Sequence, residues 1–226
     1  MRNRRAGCIS GVVLIAAVAL AGCGSTSSTP VAATTTILSD PTVDADVSRD
    51  LPNGAPLPPA VASVTGSVLA GVTFTPPSGP SLLDTRGFLY FPLGNVPVGA
   101  TVQYAAVNIC LLQVTLSDPT SPAGTPFFLD LIDTTVFPPP VRSSYYSVPF
   151  LDTRTFNFIN TDQGNCVEIE VTTLMNQAQF FALPSFMVRL GFDEATFLSD
   201  PDTTRGLVEI DDSVAATAPL LIVQFL

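Results

Sequence analysis

The stretch VEIEV at 167–171 and the stretch SFMVRLGF at 185–192 decide the fold class of this chain. In the first, valine and isoleucine alternate with two glutamates. In the second, apolar residues recur at every second position, and Met187 and Arg189 fall between them. Such alternation is typical of antiparallel strands that place one face on a core and the other toward water. We therefore predict two strands, with Met187 and Arg189 pointing outward.

The rest of the chain after residue 60 contains one candidate helix and several further candidate strands. Between the two strands, 172–181 is rich in Leu, Met, Gln and Ala, which favour one short helix. Prolines and glycines separate further β-rich runs at 87–91, 101–116, 127–136, 207–210 and 220–225. Several short strands with turn signals between them indicate an all-β sandwich or barrel. The last run is so apolar that it must be central or covered.

The N-terminus has the composition of an export signal. Arg2, Arg4 and Arg5 precede an apolar run at 9–20. This run is too short to span a hydrocarbon core, which needs about 20 residues. We therefore predict a signal peptide over 1–22.

The end of that run, Leu20-Ala21-Gly22-Cys23, resembles the lipobox of bacterial lipoproteins. The resemblance implies cleavage before Cys23 and acyl chains on that cysteine, enough for stable anchoring in a membrane. The alternatives are an ordinary signal peptide with a chance cysteine or an uncleaved signal anchor. Gly24 stands where an aspartate would retain a Gram-negative lipoprotein at the inner membrane. We therefore expect a cell-envelope location, with the outer membrane favoured and either its periplasmic or its surface face open.

The segment 23–59 is predicted to be a flexible tether followed by an extended lead-in. It begins with small polar residues and continues rich in Thr, Ala, Asp and Pro. Such a composition buries too little apolar surface to order itself. The globular β-sandwich domain is therefore predicted over 60–226.

Charge and missing residue types narrow the function. Removal of three leader arginines from nine basic residues leaves six against nineteen acids, so the mature net charge is 6 − 19 = −13. A surface this acidic disfavours nucleic acid as a partner. The chain has no His and no Lys, which removes Ser-His-Asp triads, Ser-Lys dyads and His-ligated zinc. We expect a protein that is not an enzyme.

Two cysteines remain once Cys8 leaves with the leader and Cys23 takes lipid. In an oxidising compartment a disulfide between Cys110 and Cys166 is the default expectation. The alternative is two buried thiols that never meet.

Five segments together resemble the DNRLRE domain, some members of which are classed as carbohydrate-binding module family 96. They are Arg86–Leu93, Val96–Val102, Ala105–Leu111, Glu170–Thr172 and Pro219–Val223. The resemblance covers roughly 66–226 and implies a jelly-roll-like antiparallel β-sandwich on a bacterial surface. This chain departs from the family pattern in carrying Pro92 for an aspartate and Asn108 for an arginine.

Tyr145 and Tyr146 are the best ligand-facing candidates, with Arg142, Arg154 and Phe150 nearby. Sugar binding needs exposed aromatic faces and polar groups that fix orientation. The alternative is that one tyrosine fills the core and the other lies on its rim.

Acidic residues in loops suggest a structural calcium ion as a cofactor. Asp193, Glu194, Asp200 and Asp202 are its candidate ligands, since calcium takes six to eight oxygens. No spacing matches an EF-hand loop, and solvated loop acids are the alternative.

Three functions follow from these observations. The leading one is a membrane-anchored module that binds a polysaccharide or serves adhesion. The second is a structural or envelope-assembly lipoprotein whose partner is another protein. The third, a carboxylate-dependent hydrolase, needs two positioned acids that nothing in the sequence singles out.

Overall fold

The computed structural model describes residues 31–52, 60–64, 66–75, 81–116, 124–192 and 206–226. The strands in chain order are β1 (Ala33–Leu38), β2 (Ala45–Pro52), β3 (Val61–Ser63), β4 (Ser67–Thr75), β5 (Ser81–Pro92), β6 (Val102–Leu116), β7 (Thr125–Ile132), β8 (Asp152–Phe158), β9 (Cys166–Glu170), β10 (Ser185–Phe192), β11 (Gly206–Asp211) and β12 (Leu220–Phe225). The helices are α1 (Thr172–Phe180) and two 3-10 turns, Ser143–Ser147 and Asn160–Asp162. The signal peptide, Cys23 and the start of the tether lie outside the described residues.

All strand pairs are antiparallel, in the order β1-β12-β6-β11-β4-β5-β10-β7-β8. Strand β2 also pairs with β5 and β3, and β9 pairs with β6. Side chains from every strand except β2 and β3 meet in one main core, so the sheet curls around it. The predicted all-β, sandwich-like fold with one short helix is confirmed.

The alternating stretches at 167–171 and 185–192 fall in β9 and β10, as predicted. Phe186, Val188, Leu190 and Phe192 all lie in the main core. Ile169 is buried there too, while Glu168 is exposed. The period of two therefore sets which face of each strand meets the core.

The apolar last strand is covered on both edges. Strand β12 pairs with β1 on one side and with β6 on the other. Leu221 and Val223 are fully buried. The expectation that this strand is central or covered is confirmed.

Cys110 and Cys166 form a disulfide. They are directly opposed partners in the β6–β9 pair. The bond links two strands that are 56 residues apart in the chain, as the cysteine count predicted.

The sheet begins earlier than the sequence indicated. Strands β1 and β2 lie within the stretch predicted as tether and lead-in, and they pair with β12 and β5. Residues Val31–Leu226 form one compact unit. The Thr-rich run at 34–36 suits a strand because threonine is β-branched. The small, polar residues around this run favoured a flexible tether in the sequence analysis. The run becomes a strand by pairing with the apolar strand β12.

A second, smaller cluster lies on the outer face of the sheet. The chain from 133 to 151 crosses this face and packs Val141, Tyr145, Tyr146 and Val148 onto it. Phe88, Ile132 and Met187 contribute from the sheet. Met187 and Arg189 do point away from the main core, but both are buried rather than solvent-facing. The expectation that they face water is therefore wrong. Alternation along a strand predicts which side chains point away from the core, but it does not predict that another segment covers that outer face.

Among the described residues no helix is both long and apolar enough to cross a bilayer.

Candidate ligand-binding site

Two buried arginines occupy the outer face of the sheet where the 133–151 segment ends. Arg86 lies on β5 and Arg189 on β10. Asp130 is the direct partner of Arg189 across the β10–β7 pair. Arg189 donates to one oxygen of Asp130 from Nε at 3.1 Å and from Nη2 at 2.5 Å. Both side chains are buried, so this ion pair is shielded from water.

The same two arginines hold residues 133–151, which we call the covering segment, onto the sheet. The carbonyl of Tyr146 accepts from Nη1 of Arg86 at 2.8 Å and from Nη1 of Arg189 at 3.2 Å. Arg189 Nη1 also donates to the carbonyl of Val148 at 3.0 Å. A short loop thus gains three hydrogen bonds to charged donors, which are stronger than neutral ones.

The ring of Tyr146 lies between two guanidinium groups. Arg49 and Arg86 stand 4.1 and 4.2 Å from its centroid. Its hydroxyl donates to Asp84, which also lies 3.6 Å from Nε of Arg86. The ring contributes cation–π attraction to the same network. Arg86 therefore forms an ion pair with Asp84 inside this network.

A cavity of about 310 Å³ opens beside this network. We call it the outer-face cavity, and it is lined by Arg86, Phe128, Asp130, Phe150, Thr153, Thr155 and Arg189. Its walls come from four successive strands, β5, β10, β7 and β8, and from the end of the covering segment. Strands hold side chains more rigidly than loops do, so the cavity is largely pre-formed.

The cavity combines aromatic surface with hydroxyl groups. Phe150 is 50% exposed, and Phe128 is partly exposed. Thr153 and Thr155 project from β8 into solvent. Phe128 lies over Gly191, where an added Cβ would come within 2.4 Å of the ring. That glycine lets the phenyl ring lie flat across the sheet.

The two predicted tyrosines do not line the cavity. Both rings are buried, and both belong to the cluster beneath the covering segment. The hydroxyl of Tyr145 donates to the carbonyl of Pro138 at 2.5 Å, and burial raises its pKa. Neither ring has a face free for stacking against a sugar. The prediction placed these two buried tyrosines at the surface. The local sequence of a proline-framed Tyr-Tyr loop is the same whether the loop stands out in solvent or folds onto the sheet.

The two predicted arginines are also apart from the cavity. Arg142 is exposed at the start of the 3-10 turn. Arg154 pairs with Glu170 at 3.1 Å, with each side chain 40% exposed. Hydrogen bonds from the hydroxyl and N–H of Thr172 lower the pKa of Glu170, and Arg154 lowers it further. Of the seven cavity residues, only Phe150 was named near the predicted ligand site. Among the six that were missed, Phe128 and Asp130 carry a sequence signal, because they alternate with Phe127, Leu129 and Leu131, which are buried.

An acidic cluster lies at a different place, where β1 ends and β12 begins. It contains Asp40, Asp44, Asp211 and Asp212. Burial raises the pKa of Asp44 to about 8 and that of Asp212 to about 6. The N–H of Tyr90 donates to Asp44 at 2.6 Å. A carboxyl this deeply buried is neutral over most of the physiological range.

The calcium candidates Asp193, Glu194, Asp200 and Asp202 fall outside the described residues. Within the part of the chain that the structure describes, no group of three or more His, Cys, Asp or Glu is arranged to hold a metal ion.

No protein-family profile matches the chain, and no curated protein matches it.

Proposed function

We propose that this chain is a lipid-anchored envelope protein that presents a non-catalytic β-sandwich module, and that the module binds a glycan in the outer-face cavity. The single observation that carries the binding role is the cavity itself. It joins two phenyl rings, two threonine hydroxyls and a fixed arginine–aspartate pair, and all of these except Phe150 lie on strands. Apolar faces with a few fixed polar groups are the usual composition of small-ligand sites.

The chemistry of the cavity supports binding over catalysis. Its lining in the described structure has one carboxylate, Asp130, and Arg189 holds that carboxylate in an ion pair. Glycoside hydrolysis ordinarily uses two carboxylates on opposite sides of the scissile bond. The chain also has no histidine to act as a general base.

The negative charge of the chain favours neutral glycans over polyanionic ones as ligands. A net charge of −10 for the full sequence repels polyanions. The arginines of the cavity are held by Asp130 and by loop carbonyls. A neutral glycan that stacks on Phe150 and hydrogen-bonds to Thr153 and Thr155 fits these constraints best.

The experiment is a glycan array with residues 24–226, run with and without calcium. We expect binding to neutral glycans that Phe150→Ala reduces at least tenfold. No binding above background in either condition refutes the glycan role. Binding that Phe150→Ala leaves unchanged refutes this site.

A second candidate, binding of another envelope protein by β-strand addition, is favoured by strand β8. Among the described residues β8 pairs with β7 alone and ends the strand path. A strand edge of this kind can accept a partner strand. Site-specific photocrosslinking from Asn157, in cells, tests it: one defined protein adduct supports strand addition, and no adduct argues against it.

A further inference from the structure

A carboxylate oxygen without a hydrogen-bond partner in the described chain is buried where the link from β1 to β2 meets the end of β11. It is Oδ2 of Asp44, a residue that is only 2% exposed. The other oxygen of this carboxylate accepts the N–H of Tyr90 at 2.6 Å. A buried carboxylate oxygen costs free energy unless a donor or a cation compensates it. The described residues do not supply that group to Oδ2 of Asp44.

A second buried carboxylate lies beside the first. Asp212 directly follows β11 and is 5% exposed. The hydroxyl of Ser39 donates to Oδ1 of Asp212 at 3.4 Å, and its interaction with Asp44 opposes the rise in the pKa of that carboxyl. Ser39 is itself held in place, because its N–H donates to the carbonyl of Pro219 at 2.9 Å. One hydroxyl group therefore lies between two buried carboxylates, and we call Asp44 and Asp212 the carboxylate pair.

The charges that act on the carboxylate pair are all negative. The two members repel each other, Asp40 repels both, and Asp211 repels Asp212. No arginine of the described chain is among the charges that act on either member. The sequence has no lysine and no histidine that could take this place. Buried charges are ordinarily paired or coordinate a metal, so the compensating charge must come from solution.

The two neighbouring acids are already engaged within their own loops. Oδ1 of Asp40 accepts the N–H and the hydroxyl of Thr42 at 3.0 and 2.7 Å. The carboxylate of Asp211 accepts the hydroxyls of Ser213 and Thr217, each at 2.6 Å. These two acids add negative potential, while the carboxylate pair supplies the ligand oxygens. A site with two carboxylates agrees with the finding that no three acids of the described chain are arranged around one ion.

We propose that the carboxylate pair and the hydroxyl of Ser39 bind a calcium ion. All three donors are oxygens, which calcium prefers, and none is a nitrogen or sulfur ligand of the kind that selects zinc or copper. Water completes the six to eight oxygens that calcium takes. A site with only two carboxylates belongs to the weak, extracellular class, with a Kd on the order of 0.1–1 mM. The proposal depends neither on the glycan role nor on the loop acids at 193–202.

The ion would join parts of the sheet that are far apart in the chain. Ser39 follows β1 and Asp44 precedes β2, whereas Asp212 lies between β11 and β12. Among the described strands β1 pairs with β12 alone. Calcium at this place therefore fastens the N-terminal strand to the rest of the domain by a second link.

Isothermal titration calorimetry of calcium chloride into the full chain tests the site. The protein is solubilised in detergent, treated with EDTA and dialysed to remove the chelator. The variants Asp44→Asn and Asp212→Asn keep the shape of each side chain and remove its charge. The control is Glu168→Gln, which removes one exposed acid on β9. Circular dichroism in EDTA checks that each variant is folded, so that a lost heat reports lost binding.

We expect one calcium ion per wild-type chain, at least tenfold weaker binding by each Asn variant, and unchanged binding by Glu168→Gln. About 10 mM calcium should raise the Tm of the wild type by roughly 3–10 °C. In EDTA, Asp44→Asn should melt no lower than the wild type, because it removes an uncompensated buried charge.

Three results would overturn the proposal. The first is no calcium binding by the wild type at about 10 mM. The second is binding that both Asn variants retain, because the ion then lies elsewhere. The third is equal weakening by Glu168→Gln, which indicates a general effect of charge and not a site. If one Asn variant fails to fold in EDTA, the other variant and the calcium dependence of the wild-type Tm decide.

Discussion

Replacement of Arg189 by methionine tests the physical account of the outer-face network. The substitution keeps an unbranched apolar stem and removes the guanidinium group with its charge. Asp130 then stays buried without its cation, which costs about 3–5 kcal/mol of unfolding free energy. The carbonyl of Val148 loses a donor as well, at about 1 kcal/mol, while that of Tyr146 keeps Arg86. The total loss expected is about 4–6 kcal/mol.

The matched control is Arg154→Met. That arginine also pairs with a carboxylate across neighbouring elements, but both side chains are 40% exposed. Solvent-exposed pairs contribute at most about 1 kcal/mol. The double variant Asp130→Leu/Arg189→Met removes both buried charges and should lose less stability than Arg189→Met alone.

Thermal unfolding followed by circular dichroism measures all three variants. For a domain of this size about 1 kcal/mol shifts Tm by roughly 2–4 °C. We expect Arg189→Met to lower Tm by on the order of 10 °C and Arg154→Met by at most about 4 °C. Equal shifts for the two single variants, or a double variant less stable than Arg189→Met, refute the reasoning.

Three further perturbations test other parts of the fold. Burial raises the pKa of Asp44 to about 8 from an ordinary 3.8, so the folded chain binds this proton more tightly than the unfolded chain and loses stability as pH rises between those values, by at most about 1.4 kcal/mol per pH unit. Urea unfolding at pH 5 and pH 7.5 should show this loss of stability, and Asp44→Asn should reduce the loss. An equal loss in the wild type and in Asp44→Asn contradicts the raised pKa of Asp44. Replacing Cys110 and Cys166 together by alanine opens a link across 56 residues and should cost about 4 kcal/mol in a urea titration, so an unchanged midpoint argues against the bond. Gly71→Ala should unfold the chain or cost several kcal/mol, since its φ is +131° and the new Cβ would lie 1.9 Å from the carbonyl of Gly206, while Gly94→Ala, with open space around it, should melt within about 2 °C of the wild type.

The fold was predictable where periodicity and burial agree. Alternation assigned the faces of β9 and β10, and composition located α1, because both depend on neighbours in the chain. The central position of β12 followed from the cost of exposing Leu221 and Val223. The edge strand β1 was not predicted, since its order comes from pairing with a strand almost 200 residues away.

The candidate site was harder to predict for a related reason. A tyrosine in a proline-framed loop has the same local sequence whether the loop stands away from the sheet or folds over it. Here Arg86 and Arg189, more than 40 residues from Tyr146 in the chain, hold the loop down by its carbonyl oxygen. These long-range contacts, together with the hydrogen bond from the Tyr146 hydroxyl to Asp84, hold Tyr146 beneath the loop, while Phe150 is exposed.

The most direct test of the central claim is the affinity of the module for its best array ligand, measured by isothermal titration calorimetry. The proteins are the wild type, Phe150→Ala in the outer-face cavity, and Leu112→Ala, an exposed apolar site on β6. We predict at least a tenfold weaker Kd for Phe150→Ala and an unchanged Kd for Leu112→Ala, with equal Tm values for all three. An unchanged Kd for Phe150→Ala would contradict the claim that this cavity is the binding site.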